Sequence, residues 1–466
     1  MSFLFGNTPQ AERKPQTRIE VQPLRPSEPQ SEVDRFYGDL VARRPALLEE
    51  KLKLHGRIVD EFNLALLEKM SADELRKRIQ AYIATYIRAE RISLNQKELD
   101  VFTTEVIAEM IGFGPIEPLL KDPTVSDILI NTHAHCFVER FGKLERTNVR
   151  FKDEAHLLRI INKIVSAVGR RVDESSPMVD ARLPDGSRIN VAIRPVSVDG
   201  PLVSIRKFAE RPFNIERLIE MDTLRPAMAE LLKAAVRGRI SMIISGGTGT
   251  GKTTLLNALS NYIPGEERLI TIEDAAELQL QQLHVGRLET RPANIEGRGE
   301  VRQRDLVKNA LRMRPDRIII GECRGEEAFD MLQAMNTGHE GSLTTIHANS
   351  PRDALKRLEQ MVAMAAMGLP VPSIRSQIAS AITLVIQLQR LPDGRRRLVS
   401  IDEIRGMEGD VIQMHEIFRF VKERTDASGN IIGYFAATGI RPQFLQELLP
   451  YGIELSAGLF DPGRRL

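Results

Sequence analysis

The chain has no tryptophan, two cysteines and 5% aromatic residues, and its 65 basic residues are almost matched by 63 acidic ones. The cysteines, Cys136 and Cys323, stand far apart and form no Cys-x-x-Cys pair. That excludes a zinc knuckle and points to a reducing cytosolic compartment. A formal net charge of +2 leaves no global electrostatic footprint for nucleic acid, so no nucleic-acid partner is expected. No apolar run approaches the roughly 18 residues of a membrane-spanning helix. The longest candidate, Met361 to Val371, contains Gly368 and Pro370. The N-terminus lacks the basic start and apolar core of a signal peptide. Membrane association is therefore expected to be peripheral, through a partner.

A length of 466 residues exceeds one compact core, so two or three domains are expected. Residues 1–32 are rich in Pro, Gln, Arg and Ser and read as a disordered tail, with Phe3-Leu4-Phe5 either untethered or a docking peptide. Residues 33–100 read as a small helical bundle: Leu64, Leu66, Leu67 and Met70 recur at helical spacing, and Ser71-Ala-Asp-Glu74 resembles a capping box. Residues 101–207 read as a compact α+β domain. Its β-like runs are Asp127–Ile130, Cys136–Glu139, Asn190–Ile193 and Leu202–Ile205, with a helix over Glu154–Val168. Residues 208–214 form a linker. From Ile215 to the end, helices alternate with apolar strands at Ile240–Ile244, Leu269–Ile272, Arg317–Ile320 and Leu343–His347. That alternation predicts an α/β fold with a parallel sheet.

The most constraining feature lies in this last region. Gly246, Gly247, Thr248, Gly249, Thr250, Gly251, Lys252 and Thr253 match the pattern G-x-x-x-x-G-K-[ST] between a strand and a helix beginning at Thr254. Glycines permit φ > 0 turns and close backbone approach, so that N–H groups at a helix N-terminus can face phosphate oxygens. Lys252 is predicted to reach the β- and γ-phosphates, and the Thr253 hydroxyl to hold Mg²⁺. The pattern implies binding of a nucleoside triphosphate.

Three more motifs follow at predicted strand ends, where ligands meet an open α/β sheet. Thr271-Ile-Glu-Asp-Ala-Ala-Glu277 closes a β-run with acids; Glu273 or Glu277, four apart, could orient or deprotonate a water, or the cluster is a solvated helix start. Arg314-Pro-Asp-Arg-Ile-Ile-Ile-Gly-Glu-Cys-Arg324 places Glu322 just past an apolar strand, where a carboxylate reaches Mg²⁺, often through water. Thr337-Gly-His-Glu-Gly-Ser-Leu-Thr-Thr-Ile-His-Ala-Asn349 sets two histidines about a β-run at a spacing that does not suit zinc.

In this order the four motifs resemble the Walker A, Asp-box, Walker B and His-box set of the type II/type IV secretion ATPase superfamily. Gly112-Phe-Gly-Pro-Ile-Glu-Pro-Leu-Leu120, Val125-Ser-Asp-Ile-Leu-Ile-Asn131 and the His-box wording are most similar to its CpaF/TadA branch, which powers tight-adherence (Tad) pili. The resemblance implies a RecA-like ATPase domain after an α+β domain, a homo-hexamer binding ATP and Mg²⁺, and nucleotide held between domains. It implies a motor at the cytoplasmic face of the bacterial inner membrane that acts on pilin indirectly, through a platform protein. A type IV secretion or conjugation motor, or a nucleotide-dependent scaffold, are the alternatives. By motif position Glu277 matches the catalytic glutamate, Glu322 the Walker B acid and His347 the γ-phosphate contact. Arg188 and Arg206 match arginines of the N-terminal domain that act on the γ-phosphate. Two departures stand out: Ala275 replaces a frequent Pro, and the tetra-cysteine metal insert of some relatives is absent.

Overall fold

The computed structural model describes residues 72–140, 142–208, 213–291, 298–366 and 368–462, with residues 50, 53, 54, 57, 58 and 293. The tail expected over 1–32, the helical positions Leu64, Leu66, Leu67 and Met70, and Ser71 of the expected capping box lie outside the described residues. The chain divides into two compact units, 1–207 and 208–466.

In the first unit a helix over Ala72–Ala89 precedes one over Gln96–Ile111. The second opens on a capping box: Asn95 Oδ1 accepts from the Glu98 N–H and Glu98 Oε2 from the Asn95 N–H, both at 2.9 Å. Leu54, Ile58, Ile79, Ile83 and Tyr86 bury against Phe102 and Val106 of this helix. The helix runs unbroken through Val101, so the boundary expected at 100/101 falls inside it. One rod serves two neighbours: near its end Glu109 pairs with His156 at 3.0 Å on the helix Glu154–Ala167.

That helix, N-capped by Asp153, covers one face of a six-stranded antiparallel sheet. The strands are β1 (Val125–Thr132), β2 (His135–Arg140), β3 (Lys143–Arg146), β4 (Met178–Arg182), β5 (Arg188–Ala192) and β6 (Leu202–Arg206), in the order β3-β2-β1-β6-β5-β4. Alternation decides the faces. Ile128, Ile130, Val138, Ile189, Val191, Val203 and Ile205 point into one core with Leu157, Ile160, Ile161 and Ile164 of the helix. The intervening residues are exposed, as at Asn190 and Ser204, or half-buried, as at Leu129 and Phe137.

The second unit carries a nine-stranded sheet of β7 (Met242–Gly246), β8 (Leu269–Glu273), β9 (Val285–Glu289), β10 (Arg317–Ile320), β11 (Leu343–Ile346), β12 (Leu384–Arg390), β13 (Arg396–Glu408), β14 (Val411–Thr425) and β15 (Ile431–Ala437). Its order is β15-β14-β13-β12-β7-β11-β10-β8-β9; β12 through β9 are parallel and β12 through β15 antiparallel. The inner parallel strands β7, β8, β10 and β11 are buried throughout because both faces are covered, whereas β9 at the edge is half-exposed. Met242, Ile244, Leu343 and Leu384 pack on the side of the helices Pro226–Arg237 and Lys252–Ser260. Ile243, Ile270, Ile320 and Val385 face the helices Glu327–Asn336 and Pro351–Ala365. The sequence reading placed strands near β7, β8, β10 and β11 but did not resolve β9, β12 or the antiparallel extension. In β9 and β14 partly solvated faces mix charged and apolar residues, whereas β12 is largely apolar and buried from Leu384 to Leu388. Among the described residues no helix is long and apolar enough to cross a membrane.

Candidate functional site

Gly246 ends β7, Gly247 to Thr250 form the loop, and Gly251 caps the helix Lys252–Ser260, whose first turn carries Lys252, Thr253 and Thr254. Gly251 has φ +96°, a left-handed conformation that a side chain would strain. Helical Lys252 folds back so that Nζ donates to the Gly247 carbonyl at 2.9 Å. Burial lowers the Lys252 ammonium to about 8, with Glu322 opposing.

Because β7, β11, β10 and β8 are parallel neighbours, the residues just past them meet at one sheet edge. His347 follows β11 and Glu322 lies two residues beyond β10. His347 Nε2 stands 3.1 Å from Lys252 Nζ and 3.0 Å from Glu322 Oε1. One ring nitrogen can accept from the ammonium or, carrying its proton, donate to the carboxylate, but not both at once. Burial and then the Lys252 charge lower the His347 pKa, with Glu322 opposing. Arg324 donates to Glu322 Oε2 at 2.6 Å and to Asp274 Oδ2 at 3.1 Å, joining the segments that follow β10 and β8. The other histidine of the last motif, His339, precedes β11 and so lies at the opposite end of that strand from His347.

The acids after β8 do not start a helix. Glu273 is the last residue of β8, 3% exposed, while Glu277 sits half-buried in an irregular loop. Glu273 Oε2 accepts from the Glu277 and Leu278 N–H groups at 2.7 and 2.9 Å. Burial pushes the Glu273 carboxyl up to about 7 against the pull of those donors.

A further wall comes from the β12–β13 hairpin, where Arg390 and Arg396 are directly paired. Arg396 Nε donates to the Gly249 carbonyl at 2.9 Å, across 147 residues of sequence. In the first unit Arg188 opens β5 and Arg206 closes β6, directly opposite each other. Arg182 pairs with Arg188 and Asp127 with Arg206, so Arg182, Arg188, Arg206 and Asp127 form one row on one face of the sheet. Arg206 Nε donates to Asp127 Oδ1 at 3.1 Å.

The profile of the Type II/IV secretion system protein family matches residues 109–426, well over half of the chain. The chain belongs to the type II/IV secretion system ATPase family. A putative conjugal transfer protein of Mycobacterium tuberculosis is 38% identical over 321 residues, covering 66% of this chain and 91% of that protein. The conjugal transfer protein TrbB of Rhizobium radiobacter is 34% identical over 281 residues, 59% of this chain and 83% of that one. Among solved structures, the VirB11 ATPase of the Brucella suis type IV secretion system is 29% identical and covers 62% of this chain and 94% of that one, with a TM-score of 0.34.

The fold of this family member brings Lys252, His347 and Glu322 into one contiguous set, and Arg324 links Glu322 to Asp274 at the start of the Glu277 loop. The glycine-lined loop and Lys252 fit a triphosphate. Thr253 and Glu322 fit Mg²⁺, and with both Glu322 oxygens already engaged a bridging water is the simpler link. Arg324, Asp274 and Arg396 were not singled out from sequence. Arg324 carried a signal, two residues after Glu322 and opposite in charge; Arg396 carried none, because only the hairpin brings it to the loop.

Proposed function

We propose that this chain is a hexameric, cytoplasmic motor that hydrolyses ATP with Mg²⁺ and drives assembly of a Tad-type pilus through an inner-membrane platform protein, with pilin moved indirectly. The observation that supports hydrolysis is the contiguous set Lys252–His347–Glu322, each step no longer than 3.1 Å, at the ends of three adjacent parallel strands. The phosphate-loop N–H groups and Lys252 hold the β- and γ-phosphates. Thr253, and Glu322 through a water, would hold Mg²⁺, which would supply positive charge to the phosphates. Glu277 orients the attacking water and accepts its proton. His347 contacts the γ-phosphate and exchanges that contact for Glu322 when the phosphate leaves. Arg188 and Arg206 bring positive charge to the transition state. The row of Arg182, Arg188 and Arg206 beside Asp127 puts a surplus of positive charge on one face of the sheet, which supports a role toward an anion.

A second reading keeps the same engine in a type IV secretion or conjugation system. It is supported by the relatives named conjugal transfer proteins at 38% and 34% identity. The engine is tested by ATP hydrolysis and particle mass for wild type beside Glu322→Gln. Turnover by a hexamer, reduced about 100-fold or more in the variant with ATP binding kept, is expected. A wild-type ring without turnover would move the chain to a nucleotide-dependent scaffold. Deleting the gene separates the two cargo readings: lost pili support the first, lost conjugal or protein transfer with pili intact the second.

A further inference from the structure

The loop after β8 has no helix or strand to satisfy its backbone, yet four consecutive N–H groups in it are held, each by a side chain. The Ala276 N–H donates to Glu289 Oε2 at 3.1 Å, and Glu277 and Leu278 donate to Glu273 Oε2 at 2.7 and 2.9 Å. The Gln279 N–H donates to Asn257 Oδ1 at 2.9 Å. Asn257 lies on the phosphate-loop helix and Glu289 on β9, so the loop hangs between the nucleotide-binding helix and the neighbouring strand. Buried backbone donors require such partners, and here their placement fixes the course of the loop.

Glu273 provides half of these anchors. Its side chain is sealed by Gly321, just past β10: a Cβ there would stand 2.8 Å from Glu273 Cγ, so only glycine leaves room for the side chain. Its second oxygen, Oε1, is enclosed and has no hydrogen-bond partner among the described residues. A carboxylate enclosed in this way has no path to a water beside a phosphate, whereas Glu277, half-exposed at the loop it anchors, has one.

We infer that Glu273 is a positioning residue: its carboxylate hangs the loop that aims Glu277, and Glu277 alone meets the attacking water. The inference rests on the proposed ATP hydrolysis. A misplacement of about 1 Å at such a loop costs on the order of 100-fold in rate, without a matching change in ground-state binding.

The test uses the purified full-length chain as wild type, Glu273→Gln, Glu273→Ala and Glu277→Gln. It measures kcat and KM for ATP, binding of a fluorescent ATP analogue, and thermal unfolding. Glutamine keeps an oxygen that accepts both N–H groups, so Glu273→Gln should retain kcat within about fivefold. Glu273→Ala should lose about 100-fold in kcat while the analogue binds within about threefold of wild type. Glu277→Gln should lose on the order of 100-fold or more, since no base remains. If Glu273→Gln is as inactive as Glu277→Gln while still folded and binding, Glu273 is itself the base and the inference is overturned. Full activity in Glu273→Ala would overturn it too. Should that variant fail to fold, the two glutamine variants decide alone. A folded wild type that binds the analogue but shows no turnover would defeat the ATPase reading, and with it this inference.

Discussion

Lys252 shows how much one side chain's surroundings alter its chemistry. The helix start buries its ammonium, and burial brings its pKa from 10.5 down to about 8, so above that pH the free protein holds a neutral amine. A triphosphate beside it favours the charged form, so binding between pH 8 and 10 should take up a proton. The affinity for ATP should therefore fall as pH rises through about 8, by at most about tenfold per unit for one proton. Calorimetry at pH 8.5 in two buffers of different ionisation enthalpy measures that uptake directly. Identical heats in both buffers would show that Lys252 does not gain a proton on binding.

At the scale of elements, the site is assembled by neighbours that are remote in sequence. The β12–β13 hairpin lies beside β7, which sets Arg396 against the Gly249 carbonyl. Removing that charged hydrogen bond in Arg396→Ala should loosen the phosphate loop and weaken ATP binding roughly tenfold, since charge-assisted bonds at part-exposed positions contribute on the order of 1–2 kcal/mol. The melting temperature should move little. A titration with unchanged affinity would remove the hairpin from the site. The opposite edge of the same sheet has a different device. Arg317, fully buried on β10, is bound in two bonds by Glu267 at 2.6 and 2.8 Å and reaches the Val236 carbonyl at 2.7 Å. Arg317→Ala removes two of the bonds to buried Glu267 and leaves it only Arg239, at 3.3 Å, so it should cost about 3 kcal/mol of stability, readable by denaturant unfolding. Loss of less than about 1 kcal/mol would show that the pair is solvated.

For the whole molecule the proposal to test is that arginines of the first unit take part in the hydrolysis proposed for the second. Arg188→Ala and Arg206→Ala should each slow hydrolysis while leaving the binding of ATP to the phosphate loop intact, because neither lies in the unit that carries the loop. Rates equal to wild type in both variants would rule the arginine row out of the reaction. Light scattering with nucleotide present should report a hexamer, and a persistent monomer would contradict the ring.

Local patterns in the chain were enough to reveal a phosphate loop, the apolar strands β7, β8, β10 and β11, and the acids and histidine just past them. Backbone conformation at glycines, burial on both faces of a parallel sheet and motif spacing are short-range constraints, each written within about a dozen residues. Those constraints stop at contacts between segments far apart in sequence. Tertiary structure alone put Asn257, Glu273 and Glu289 around one loop, seated Arg396 on Gly249, tied Arg324 to both Glu322 and Asp274, and ran a single helix across the expected boundary at 100/101. It also distinguished Glu273 from Glu277. Two identical carboxylates four residues apart cannot be told apart by type or spacing; one became buried because β10 places Gly321 over it, and the other stayed at the surface of the loop.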